Sequence, residues 1–64
     1  MLSDWELWAI ANRLIVDQGP DAAIEAALRA DEMLERNDLN GQRTWICVLD
    51  RIKELQAEPR GMLN

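Results

Sequence analysis

Three observations predict an all-α chain, a compact three-helix bundle whose successive helices lie roughly antiparallel. Apolar residues recur at helical spacing in three separate segments, and no segment shows the two-residue alternation of a strand. The breaks between segments hold Gly19-Pro20 and Asn37-Asp38, residue types that end one helix and begin the next. Connections this short make neighbouring helices reverse on each other.

The first helix is expected over residues 4–18. Ser3-Asp4-Trp5-Glu6 has the form S-x-x-E, in which the Ser hydroxyl and the Glu carboxylate each accept from a backbone N–H that a helix start leaves free. At 100° per residue, Leu7, Trp8, Ala11, Leu14 and Ile15 share one face, and Glu6, Arg13 and Asp17 the other. Trp5, Ala9 and Val16 fall beside the core stripe.

Gly19-Pro20 then turns the chain, and a second helix is expected over 20–37. Asp21 and Glu25 lie near its positive end and Arg36 near its negative end, as the macrodipole favours. Glu25 with Arg29 and Glu32 with Arg36 are spaced as i,i+4 ion pairs. Ala23, Ala27, Ala30 and Leu34 form the expected buried strip, small enough to admit bulk from Trp8 and Trp45 on the other helices.

The third helix, over 39–57, is the cleanest amphipath, with Trp45, Val48, Leu49, Ile52 and Leu55 on one arc and Arg43, Asp50 and Glu54 opposite. Its approach, NDLNGQRTW at 37–45, invites other readings. A calcium loop with Gly41 sixth would need carboxylates first and twelfth, where Arg36 and Cys47 stand. Asn40-Gly41 makes a hairpin only between strands, and both flanks are helical. The reading that survives is a helix corner with Asp38 as the cap, Asn40 as the alternative cap, and Gly41 keeping the first turn slim. Pro59 stops this helix, so residues 1–58 form a single domain and 59–64 a flexible tail.

Composition narrows function by exclusion. A domain of 64 residues buries only about 60% of its unfolded surface, so stability is marginal and packing or oligomerisation must supplement it. Cys47 is the only cysteine and there is no histidine, which removes an internal disulfide and a structural zinc site and points to a cytoplasmic setting. The start of the chain does not read as a secretory signal, and no stretch is long enough to span a membrane. A net charge of −5 disfavours nucleic acid and anionic membranes as partners. With no histidine and no tyrosine, and carboxylates mostly on solvated faces, no catalytic residue, metal site or cofactor site is expected.

What remains is interaction. Trp5, Val16 and Ile46 lie off the main apolar arcs, and with Cys47 they are the candidate contacts for a partner protein, in the first instance a second copy in a homodimer. The rival is a helix-turn-helix-like regulator that meets nucleic acid through Gln42, Arg43, Thr44 and Arg51 at the start of the third helix. A third reading makes Cys47 a reactive thiol flanked one turn away by Arg43 and Arg51, although no imidazole is present to activate it.

Trp5-Glu6-Leu7-Trp8-Ala9, the Gly19-Pro20-Asp21-Ala22 corner, Asp38-x-x-Gly41-x-x-x-Trp45 and Arg51-Ile52-x-x-Leu55 together resemble a family of small uncharacterised bacterial helical proteins. The resemblance spans residues 4–55 and rests on cap, turn and core positions. It implies a compact helical domain in a bacterial cytoplasm, and it carries no activity or catalytic residue to transfer.

Overall fold

The structure, a computed structural model, describes residues 2–57, so the expected tail at 59–64 lies outside the described residues. Within them the chain is all-α: α1 (Asp4–Gln18), a single 3-10 turn (Gly19–Asp21), α2 (Ala22–Glu35) and α3 (Leu39–Gln56).

Local chemistry sets each boundary. At the start of α1, Ser3 Oγ accepts from the Glu6 N–H at 3.2 Å and Glu6 Oε1 accepts from the Ser3 N–H at 2.9 Å, the reciprocal cap that the motif implies. Gly19 then takes φ 57° and ψ −127°, a conformation that side-chain-bearing residues rarely adopt. Pro20 follows in the 3-10 turn, which the Ala22 N–H closes on the Gly19 carbonyl. The α-helix therefore begins at Ala22 and not at Pro20, because Gly19 has already taken the backbone off the helical path.

α2 also ends earlier than expected, at Glu35. Asn37 adopts φ 61°, its N–H bonds the Leu34 carbonyl at 2.9 Å, and the Asp38 N–H bonds the Met33 carbonyl at 2.8 Å. This is a Schellman end with asparagine in the left-handed position. Arg36 is the cap residue with φ −83° and ψ 2°; its N–H still bonds the Glu32 carbonyl at 3.2 Å, but among the described residues its side chain forms no ion pair with Glu32. Glu25 and Arg29 do pair, at 2.8 Å. Asp38 caps α3, accepting from the Gly41 N–H at 2.9 Å, which decides between it and Asn40.

α2 and α3 form a tight antiparallel hairpin; α3 also packs on α1, and α1 and α2 touch least. A Cβ on Gly41 would stand 2.6 Å from Asp38 Oδ2 and 2.8 Å from Met33 Sδ, so the glycine is what admits α2 to the start of α3. Four residues on, the Arg29 guanidinium lies 5.5 Å from the Trp45 ring centre. These two contacts fix the register: each step along α3 matches a step back along α2. The bundle measures 44 × 23 × 20 Å, a cross-section of about two helix diameters.

The interior is made mostly of alanine. Ala11, Ala22, Ala26, Val48 and Ile52 are fully buried, and only Val48 and Ile52 among them are large. Leu7, Ile10, Leu14, Ile15, Trp45 and Leu49 pack around them, each half-buried. On α2 the buried strip runs Ala22, Ala26, Ala30, rotated from the expected Ala23, Ala27, Ala30, Leu34; Leu34 is 49% exposed. An alanine-rich helix has nearly equivalent small faces, so the contact with α3 selects the one that is buried. Leu55 is likewise exposed, although it belongs to the expected core arc of α3.

Candidate interaction surface

The first consequence for a site is how α1 is held. Asp4 Oδ1 accepts from Arg51 Nη2 at 2.6 Å, and Asp4 Oδ2 accepts from the Trp8 indole N–H at 3.2 Å. The Arg51 guanidinium also lies 5.1 Å from the Trp8 ring centre, so the aromatic face and the carboxylate share one cation. Arg51 holds the Asp4 carboxyl below its ordinary range, and the bond to Asp4 raises Arg51 in turn. At the other end of α1, Gln56 Nε2 donates to the Gly19 carbonyl at 2.9 Å. Trp8 thus faces α3, not α2 as the small-residue strip suggested, because its ring lies against Arg51.

These contacts place α1 over the side of α3 that carries Cys47 and Arg51. Cys47 is half-buried there and lines a pocket of about 30 Å³ with Leu2, Leu7, Arg43 and Thr44, room for a single water. It is neither an exposed thiol nor adjacent to Ile46 on the surface, since α1 covers its side of the helix.

The residues considered for nucleic acid are divided in the same way. Arg51 is engaged with Asp4, Gln42 is half-buried, and the Thr44 hydroxyl donates back to the Asn40 carbonyl at 2.9 Å. Only Arg43 of the four is exposed. Among the described residues no helix is long and apolar enough to cross a membrane, and no three His, Cys, Asp or Glu side chains converge on a metal-sized site.

Apolar exposure is where the structure is unusual. Eight large apolar side chains among the described residues stand 42–76% exposed, against two that are fully buried. Trp5 (76%) and Val16 (72%) share the outer strip of α1, eleven residues and so about 16 Å apart. Ile24 and Leu28 point outward from α2, opposite Ala26, amid Asp31 and Glu35. Ile46 lies on α3, on the flank that α1 does not cover, with Leu39 above it and Leu49 below. The structure therefore sets Trp5 and Val16 at opposite ends of one outer strip of α1, and Ile46 on a different helix.

The sequence reading missed the partners of Ile46. Leu39, Gln42, Ile46, Leu49 and Lys53 are spaced three and four apart in alternation, which puts them in one seam along α3. That signal was present in the sequence, but the stronger arc of Trp45, Val48 and Ile52 had already claimed Leu49 for the interior. No family model matches this chain, and neither a curated protein nor a solved structure matches it.

Proposed function

We propose that this protein is a small non-enzymatic interaction module that self-associates, as a homodimer, in a cytoplasmic setting. The observation that carries the reading is the imbalance between interior and surface: among the described residues, two large apolar side chains are fully buried and eight are left exposed. Burial at about 25 cal/mol per Å² is the main term that offsets chain entropy, and a domain this small has little of it to spare. Covering part of the exposed set with a second copy supplies the burial that the single chain lacks. The engagement of Arg51 with Asp4 leaves the nucleic-acid reading without a comparable support.

Light scattering across a dilution series tests the proposal. The expected result is a mass of two chains at high concentration that falls toward one on dilution. A stable, fully helical monomer at every concentration up to the solubility limit overturns it.

A further inference from the structure

The two corners of the chain are tied differently. Between α2 and α3, Asn37 and Asp38 close a Schellman end, the Asp38 carboxylate caps α3, and Met33 lies against Gly41. Between α1 and α2, no side chain caps the 3-10 turn or the start of α2, and the turn is held at the Gly19 carbonyl by the Ala22 N–H and by Gln56. The seat of α1 is also the shallower one. Only Ala11 of α1 is fully buried, against Ala22 and Ala26 of α2 and Val48 and Ile52 of α3, and α1 touches α2 least.

We propose that α1 is a strap, which releases from the α2–α3 hairpin as a unit, about Gly19, while the hairpin stays paired. The tie of Asp4 and Trp8 to Arg51 sets how often it opens. Asp4 stands at the surface, its side chain 68% exposed, so water competes for the contact whenever it loosens. Arg51 Nε, in contrast, is shut off from water with no hydrogen-bond partner among the described residues, in the guanidinium that the Trp8 ring covers. A buried donor without a partner costs free energy, and lifting α1 hydrates it, so docking carries a penalty here that release removes. Once released, a segment of fifteen residues is only marginally helical on its own, and α1 unravels as it leaves.

Release bares the side of α3 that α1 covers. Leu2 and Leu7 move away from Cys47, and the cavity of about 30 Å³ that they share with it opens to solvent. In the closed form that cavity has room for a single water, so a reagent of several heavy atoms has no space in it. Cys47 is thereby a built-in reporter of the strap: it sits on α3, in the part that stays folded, and its cover belongs to the part that leaves.

The test is native-state hydrogen exchange of the full chain against urea, read helix by helix. Alkylation of Cys47 by iodoacetamide is followed in parallel, and global unfolding by circular dichroism. The α1 amides and Cys47 are expected to respond together, with a shallower urea dependence than global unfolding, while the central amides of α2 and α3 exchange only with the whole. Asp4→Asn is expected to speed both α1 readouts about two- to fivefold, the range for an exposed ion pair. Gly19→Ala is expected to speed them more, since a side chain is strained at φ 57° in the closed turn and is relieved once the strap swings away. Asp38→Ala loosens the other corner, so it is expected to lower global stability yet leave both readouts at wild-type rates below the unfolding transition. A urea dependence equal to that of global unfolding overturns the strap, as does acceleration by Asp38→Ala as large as by Asp4→Asn. A Cys47 that alkylates at one rate whatever the urea concentration, in wild type and Asp4→Asn alike, overturns it too. If Gly19→Ala proves unfolded, Asp4→Asn and Asp38→Ala decide.

Discussion

Asp38 performs two tasks at one position, and Gly41 is shaped by both. The Asp38 N–H closes the end of α2 on the Met33 carbonyl, and its carboxylate caps α3 on the Gly41 N–H. Asp38→Ala is therefore expected to cost about 1 kcal/mol in urea unfolding, the usual loss for a helix cap. Gly41→Ala sets two effects against each other: a gain of about 0.5–1 kcal/mol in helix preference, and displacement of the cap, since the new Cβ would stand 2.6 Å from Asp38 Oδ2. The two substitutions should accordingly be non-additive. Gly41→Ala is expected to be more favourable in the Asp38→Ala background than in the wild type, and strict additivity in a double-mutant cycle would remove the steric coupling. At this scale the sequence was highly legible. The Ser3–Glu6 cap and the Asp38 cap are contacts between near neighbours in the chain; spacing alone locates the first and narrows the second to Asp38 or Asn40.

Among the elements, α1 is tied to α3 by the charged group of Asp4, Arg51 and Trp8, and this link responds to acid. The folded carboxyl of Asp4 is depressed chiefly by Arg51, and that of Glu6 by the N–H of Ser3 and then by its hydroxyl. Groups depressed on folding bind fewer protons in the native state than in the unfolded chain, so their stabilisation is complete above the ordinary carboxylate range of about 4 and is lost below it. Thermal stability is expected to be flat near neutrality and to decline as the pH falls below about 4. Asp4→Asn should reduce the acid-dependent part of that decline, and a profile identical to wild type would detach Asp4 from it. This link was hidden in the sequence because Asp4 and Arg51 stand forty-seven residues apart. Arg51 was legible as a free cation, a neighbour of Cys47 or a candidate nucleic-acid contact, and nothing local to it reveals the carboxylate that meets it.

For the whole molecule, the decisive quantity is how little large apolar surface the single chain encloses. Alanine fills most of the fully buried positions, and alanine burial removes little area from water. Self-association then couples stability to mass action: the unfolding midpoint is expected to rise with protein concentration. A wild-type midpoint that does not move over a hundredfold change in concentration, about 2.7 kcal/mol in the association term, contradicts that coupling.

Local pattern specifies the helical class, three helical segments to within two residues at each end, and the Ser3–Glu6 cap, with Asp38 or Asn40 as the cap of α3, because these follow from backbone donors, acceptors and dihedral limits within a few residues. It also placed Ile46 and Trp5 off the main arcs. Helix packing settles which alanine face of α2 is buried, that Trp8 turns to α3, that α1 covers Cys47, and that Ile46 and Trp5 belong to different surfaces. Each of those outcomes depends on which side of α3 another helix occupies, and a helical period is the same on every side.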